Sequence, residues 1–577
     1  MYILGLSALE HDSAAALVTD QGIVAAIEES KLTRTPGKGG VPYQAIQFCL
    51  DRAGIKAKDV EKLAVASCPL PTWVRHAALQ SRRYDRHASG ALPPGLDDLI
   101  DELRRLPPEA TDQGPAGPMG RTDPTAPTGR ALPLEHHLCH GASAFFASPF
   151  DRAAILTLDE HGHSCCGTAA LGEGTNIRPL RSTAFPNSIG WLYSQVTALL
   201  GFEPHLEEHK TQWLSLEGDG ADGLKALFDD VLGRPCGGLP QIDLSYLRPE
   251  FTGRGAFAAR FYQRLGSESE RSFRLTDALA RQIAASFHQA CARVLVECVE
   301  QLFEETGVRN VCLAGGLFIN ALLVAAIEKT VGLGSVFAQP AAGNAGSAFG
   351  SAWLAWHQVL GRPRFRPLSS LDWGPSFATE DIKNVLDNCK ARYRWFDTEA
   401  QRVEATTEAL AQADIVAWHQ GATEFGPRAL GHRSILASPW APYIKENLNH
   451  YVKHREPFRP FAIAVPEEDC ARYFECSRLV RFMASLGWVR PDARVLLKDL
   501  ALPGDQIRLY AVERGTNPLL WQLLKEWGKR SPAPFLINTS FNLFGEPLVV
   551  TPRDAVRSFF CSGIDAMLID GFFVSKS

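Results

Sequence analysis

The chain has 577 residues, 45% hydrophobic and 21% charged, with a formal net charge of −5. That length exceeds one hydrophobic core and implies two or three domains of ordinary globular composition. The acidic balance excludes a global basic field for nucleic acid or an anionic membrane, and no apolar run reaches the length of a membrane span.

The first residues read as an apolar strand, Tyr2 to Leu6, without a basic flank, so no signal peptide is expected. The cysteines number 13, are scattered and show no CxxC spacing. Such thiols belong to a reducing, cytoplasmic compartment and argue against structural zinc. The adjacent Cys165 and Cys166 read as two small core residues.

In chain order, residues 2–7, 14–18 and 23–27 read as three strands, the last two joined at Gln21-Gly22, and an amphipathic helix follows over 43–53. Three strands in hairpin order and then a helix suggest an RNase H-like lobe. Residues 106–133 are crowded with Pro, Gly, Thr and Ala and read as a mobile insertion. Structure resumes at His136. Strands at 153–158 and 168–171 repeat the strand, polar turn, strand design, so a second lobe of similar fold is expected. A long helix spans about 276–305. A strand at 310–314 then runs into Gly315-Gly316 and another helix. Residues 361–376, with prolines at 363, 367 and 375, read as a linker to a second domain over 377–577, with strands at 415–418 and 535–538.

The most informative stretch is Glu424 to Ala437, EFGPRALGHRSILA. It fits neither helix nor strand periodicity and reads as a turn presenting fixed positive charge before a short buried segment. Arginine offers a planar fork of donors for phosphate or carboxylate, and glycine lets backbone approach a ligand. An anionic, phosphorylated small molecule is the expected ligand. The bland reading is that the arginines pair with Glu424, Glu456 and Glu546.

This stretch, with KHREPFRPF at 453–461, NTSFN at 538–542, GEP at 545–547, ILGLS at 3–7 and HDSAAAL at 11–17, resembles the NodU/CmcH carbamoyltransferase family over nearly the whole chain outside 106–133. The resemblance implies an α/β protein. Residues 1–362 would form an actin–hexokinase (ASKHA) domain of two RNase H-like lobes, and residues 377–577 a YrdC-like domain. It implies a reaction in two steps. The C-terminal domain would join carbamoyl phosphate to ATP, with Mg2+, giving carbamoyladenylate and pyrophosphate. The N-terminal domain would pass the carbamoyl group to a hydroxyl of a small, secondary-metabolite acceptor. A mixed anhydride that water destroys should travel in a closed chamber. Arg428, Lys453, Arg455 and Arg459 would form the anion clamp, with Arg428 and Lys453 also catalytic, while Asn538, Ser540 and Asn542 would supply neutral hydrogen bonds. A homodimer is common in such families.

In the N-terminal part, His136 and His140 stand four apart, on one face of a helix, where two imidazoles can share a metal. The family's matching histidines hold iron (Fe2+) with an aspartate from a later loop. Here that loop carries Asn344, and an amide is a poorer ligand for a hard cation. Two further departures are Asp159-Glu160-His161-Gly162-His163, where the family tends to show Asp-Gly-x-Gly-Glu, and Trp213 in place of a glycine. A metal site rearranged onto His161 or His163 and a site without metal are both open. His11 is the candidate general base, beside Asp12. Asp159, Lys210, Gly315, Gly316 and Asn320 are the candidate nucleotide contacts. Two other readings stay open: a carbamoyladenylate-forming protein with a degenerate first domain that serves a partner subunit, and a non-catalytic actin-like nucleotide binder.

Overall fold

The computed structural model describes residues 1–8, 11–37, 39–67, 130–162, 165–249 and 256–576. Most of the insertion expected over 106–133, and His163, lie outside the described residues. The insertion's last residues, 131–133, belong to a strand. The chain divides into two compact units, residues 1–29 with 37–368 and residues 30–36 with 369–577.

The first unit holds two sheets of the same design. The strands are β1 (Ile3–Ser7), β2 (Ala14–Thr19), β3 (Gly22–Glu28), β4 (Lys62–Ser67) and β5 (Ala131–Glu135) in one, and β6 (Arg152–Gly162), β7 (Cys165–Glu173), β8 (Asn176–Ala184), β9 (Val311–Ala314) and β10 (Val336–Ala338) in the other. Their orders are β3-β2-β1-β4-β5 and β10-β9-β6-β7-β8. In each, three strands pair antiparallel as a meander and two more join in parallel on the side of the first strand. This is the duplicated RNase H-like arrangement of the actin–hexokinase superfold. β1 and β9, each with a strand on either side, are buried throughout, which explains their largely apolar runs.

A helix follows the fifth strand of each lobe, His136–Phe145 and Ser347–Leu354. Each lies close against the sheet of the other lobe. A Cβ on Gly141 would meet Ile155, and one on Gly350 would overlap the carbonyl of Cys139. A Cβ on Gly5 of β1 would overlap the Ala348 carbonyl and lie 2.8 Å from Ala352 Cβ. Small residues at these crossings let the helices approach the strands, and so fix where His136 and His140 stand. The long helix runs over Asp277–Thr306, opened by Thr276, whose hydroxyl accepts from Leu279 N–H, and closed by Gly307 in the left-handed region.

The second unit is an α/β fold on one sheet. Its strands are β11 (Tyr393–Trp395), β12 (Val416–His419), β13 (Arg433–Ala437), β14 (Ala462–Pro466), β15 (Phe474–Glu475), β16 (Leu486–Val489), β17 (Gln506–Val512), β18 (Leu536–Ser540), β19 (Ala566–Ile569) and β20 (Phe572–Ser575). The order is β11-β20-β19-β12-β13-β18-β14-β17-β16-β15. One face packs on a core that includes Ile415, Ile435, Ile463, Ile507, Leu509 and Ile537. Because side chains alternate along a strand, Arg508, between Ile507 and Leu509, faces away from that core.

Gly5→Ala should destabilise the first unit by roughly 1–3 kcal/mol, since an added methyl has no space against the backbone of helix Ser347–Leu354. Denaturant unfolding of the variant checks this, with a lowered midpoint and an unchanged slope expected.

Candidate functional site

In the second unit the residues of EFGPRALGHRS are fixed from within. Glu424 is buried, and its Oε1 accepts from Leu430 N–H (2.9 Å), His432 N–H (2.8 Å) and Arg433 N–H (3.0 Å). Arg433 is fully buried and donates to the carbonyls of Gln420, His432, Pro375 and Gly421. This arginine therefore builds the turn. Gly431 takes φ +80°, and a Cβ there would overlap Leu520 and lie 2.6 Å from Asn517 Nδ2, so no other residue fits. The turn so braced carries Arg428.

At Arg428 the structure assembles cations from three chain segments. Burial and the neighbouring Arg459 lower Arg428 to about 10. Burial, then Arg459, lower Arg455 to about 9, against a smaller opposing effect of Glu456. Lys453 is held well below the usual lysine range by burial and by Arg455 and Arg459. Arg508 of β17 is lowered strongly by burial and by Arg428, Arg455 and Arg459. Four cations thus have their charged forms disfavoured by burial and by cationic neighbours, with Arg459 among those neighbours in each case, an environment that suits an anionic ligand.

Neutral donors and acceptors frame the cluster. Lys453 Nζ donates to Asn542 Oδ1 (2.7 Å), Ser540 Oγ (3.2 Å) and the Ser540 carbonyl. Ser540 Oγ donates to Asn542 Oδ1 (2.7 Å), and Asn542 Nδ2 to the Glu546 carbonyl (2.6 Å). Asn538 Nδ2 donates to the Ala429 carbonyl (2.9 Å), which leaves its buried Oδ1 without a hydrogen-bond partner. Arg455 Nε donates to Asn449 Oδ1 (2.9 Å), its plane lies over Phe461 at 4.5 Å, and its buried Nη2 has no partner. Of the acids weighed as structural partners, Glu456 lies 3.7 Å from Arg459, while Glu546 pairs with Arg34 (3.1 Å) and Arg557 (2.9 Å). The arrangement brings together Arg428, Lys453, Arg455, Arg459, Asn538, Ser540 and Asn542.

Two residues of this neighbourhood escaped the sequence reading. Arg508 lies 47 positions beyond the KHREPFRPF string; its one signal was a charge alternating with Ile507 and Leu509. Lys31, in the 30–36 segment of the second unit, is buried and donates to the carbonyls of Glu424 (2.6 Å) and Gly426 (2.9 Å). Nothing local marks it.

In the first unit a cavity of about 230 Å³ is lined by His11, Asp12, Asp159, Glu160, His205, Glu208, Gly316 and Asn320, among others. Asp12 takes φ +58°, and its Oδ2 is 2.9 Å from His11 Nδ1. His11 Nε2 is 3.2 Å from Asn344 Nδ2. Asn320 caps the helix Ala321–Val331 and contacts Tyr193 and His288 while it lines the cavity. Gly316 lies on the wall. Gly315, at φ +95°, packs against Leu158, and a Cβ there would overlap that residue's carbonyl. Lys210, placed with the nucleotide by resemblance, pairs with Glu207 at 2.7 Å. Trp213 is a core residue. Glu160 and His205 form a pair at 2.7 Å on the cavity wall, and the hydrogen bond to Glu160 raises His205. The sequence flagged Glu160 only as a departure from pattern and did not flag His205.

The carboxylate that meets the two imidazoles comes from β6. His136 Nε2 and His140 Nε2 are 3.1 Å apart, and Asp159 Oδ2 lies 3.1 Å from His140 Nε2 and 3.8 Å from His136 Nε2. Asp159, expected against nucleotide, thus completes a triad with His136 and His140, while Asn344, expected with those histidines, engages His11. The reason is topological: β6 ends beside the start of helix His136–Phe145, so its last inward side chain reaches the imidazoles. His161 is exposed and stands outside this group. His137 turns away to Thr157 Oγ1 (3.0 Å), and burial lowers it to about 3. The centre of the triangle of three donors is about 2 Å from each corner, the bond length of a first-row divalent ion to imidazole or carboxylate. Two nitrogens and one carboxylate oxygen, all buried, suit such an ion.

The chain thus combines a duplicated actin–hexokinase unit with a second unit that gathers cations around one turn. Residues 2–90 and 128–353 match the carbamoyltransferase N-terminus model, and residues 407–576 the carbamoyltransferase C-terminus model. The chain belongs to the carbamoyltransferase family and is an enzyme of that class. It is 32% identical to the uncharacterized protein sll1178 of Synechocystis over 100% of this chain and 97% of that one. It is 30% identical to nodulation protein NolNO of Sinorhizobium fredii over 98% of this chain and 79% of that one. Among solved structures, T. kodakarensis HypF aligns at a TM-score of 0.33 and 14% identity over 62% of this chain and 48% of that one. Among the described residues no helix is long and apolar enough to cross a membrane.

Two outcomes are expected. Arg508→Met should raise the stability of the ligand-free protein by roughly 1 kcal/mol, because it removes one of several mutually repelling buried charges, while the stabilisation by added ATP or pyrophosphate falls; calorimetry with and without the anion reads both. His140→Ala should empty the triad, so metal analysis of protein purified without oxygen should show at least a tenfold loss of bound first-row metal against wild type.

Proposed function

We propose that the second unit makes carbamoyladenylate from carbamoyl phosphate and ATP, and that the first unit passes the carbamoyl group to the hydroxyl of a small-molecule acceptor. The observation that carries this reading is the self-repelling group of Arg428, Lys453, Arg455, Arg459 and Arg508. A single monoanion does not balance five cations. A nucleoside triphosphate with its Mg2+ beside a second phosphorylated molecule does. Held there, carbamoyl phosphate is first cleaved by water at its anhydride P–O bond, which releases phosphate and leaves carbamate; a carbamate oxygen then attacks the α-phosphorus of ATP, the bond between that phosphorus and the bridging oxygen breaks, and pyrophosphate leaves. The cations neutralise charge as it builds on the pentavalent phosphorus and the leaving group, in a site where little water screens them. Asn538 Oδ1, buried and unpartnered, suits the carbamoyl NH2.

In the first unit, Asp12 Oδ2 fixes His11 with Nδ1–H toward the carboxylate, which leaves Nε2 to take the acceptor's hydroxyl proton. The acceptor displaces the Asn344 amide from that nitrogen. His136, His140 and Asp159 would hold a divalent ion, Fe2+ by family likeness, that supplies Lewis-acid polarisation when bound. A secondary metabolite is the acceptor class the family suggests.

The test is carbamoyl phosphate-dependent exchange of pyrophosphate into ATP. Arg428→Ala should reduce that exchange at least a hundredfold while its far-ultraviolet circular dichroism matches wild type. Unchanged exchange would remove Arg428 from the chemistry, and exchange independent of carbamoyl phosphate would refute the reaction.

A further inference from the structure

A second, smaller cavity of about 30 Å³ lies in the second unit, lined by Asp372, Glu424, Arg481, Tyr510, Thr516 and Asn517, among others. It is large enough for one water molecule or one ion. Two carboxylates line it. Glu424 is 1% exposed; its Oε1 is saturated by three backbone N–H groups, whereas its Oε2 is buried and has no hydrogen-bond partner. Asp372 Oδ1 is likewise buried with no partner. Unmatched carboxylate oxygens in a protein interior are costly unless a positive group reaches them.

The nearby cations do not meet that need. Arg481 is already shared by Glu467 (2.6 Å from Nε) and Glu513 (3.2 Å). Arg433 directs its two terminal nitrogens at four carbonyls and its guanidinium makes no hydrogen bond to the Glu424 carboxylate, although its charge is near that group, and Lys31 donates to the main-chain oxygens of Glu424 and Gly426. Beside Leu371, Leu430, Phe482 and His432, the wall offers further oxygens. Tyr510 Oη donates to the Leu430 carbonyl (2.7 Å) and Thr516 Oγ1 to that of Glu513 (3.3 Å), so both keep lone pairs.

We infer that this cavity is a binding site for one hard, oxygen-seeking divalent cation of the calcium class, held by Glu424 Oε2 and Asp372 Oδ1. An irregular set of carboxylate and hydroxyl oxygens in a space too small for a full water shell suits Ca2+ better than Mg2+. Such an ion fastens residues 369–372 onto the turn that carries Arg428. Main-chain bonds already run between these stretches, Phe425 N–H to the Leu371 carbonyl (2.7 Å) and Gly374 N–H to that of Thr423 (3.0 Å). The ion would thereby set the rigidity of the polyanion site without touching a substrate. The inference is independent of the reaction assigned to the enzyme.

Tb3+ serves as the probe on the full-length chain, stripped with EDTA and free of nucleotide, with Tyr510 as a sensitiser on the cavity wall. Wild type should show sensitised Tb3+ emission that Ca2+ displaces, and Ca2+ should raise the melting temperature. Asp372→Asn should bind one Tb3+ fewer, or bind it at least tenfold more weakly, and lose the Ca2+-induced rise. If that variant does not fold, Thr516→Val replaces it, with the same weakening expected. Wild type without sensitised emission, or with binding unchanged in the folded variant, would mean that water alone fills the cavity and would overturn the assignment.

Discussion

The structure of the second unit turns on one unfavourable interaction. The protonation of Arg428, Lys453, Arg455 and Arg508 is depressed by burial and by cationic neighbours, Arg459 among them. Like charges disperse unless the backbone that carries them is held elsewhere. The surrounding architecture supplies that restraint. Glu424 ties the turn at Leu430, His432 and Arg433, Arg433 closes it through four carbonyls, and Asn538 holds Ala429 from the neighbouring strand. A site strained in this way gains most when a polyanion enters, since binding then relieves repulsion as well as forming new contacts.

In the first unit, duplication does the equivalent work. Two sheets of one design each carry a terminal helix, and close packing through Gly5, Gly141 and Gly350 locks those helices against the strands. The geometry of the His136, His140 and Asp159 triad follows from that packing. His136 and His140 lie one turn apart on a helix whose first turn faces the end of β6, so Asp159 meets them without any long loop having to order. His11 and Asp12 occupy the turn after β1, and Glu160 with His205 share their cavity. The chain's own departures from the family pattern, Glu160 and Asn344, both fall at this cavity or beside His11.

How much was legible beforehand varies with the distance between partners in the chain. The strand, turn, strand pattern near residue 14 and again near 168 announced the two lobes, because alternation and buried runs are local properties. The anion-directed string at 424–433 was legible for the same reason: glycines and arginines in a non-periodic stretch leave few structural uses. Arg433 shows the limit, since it looks like Arg428 in the string yet is consumed by the fold. Only its environment tells a ligand-facing guanidinium from a structural one.

In the sequence by itself, the family resemblance implied the class of enzyme, and residue types and spacing determined the cationic character of the second site and the helical spacing of His136 and His140. Tertiary structure alone decided that Arg508 and Lys31 join the signature turn, that Asp159 stands with the histidines, and that Asn344 turns to His11. The physical reason is that residue type and spacing encode only short-range geometry. Charges and ligands that meet across strands far apart in the chain are chosen by sheet order and by how closely helices can approach.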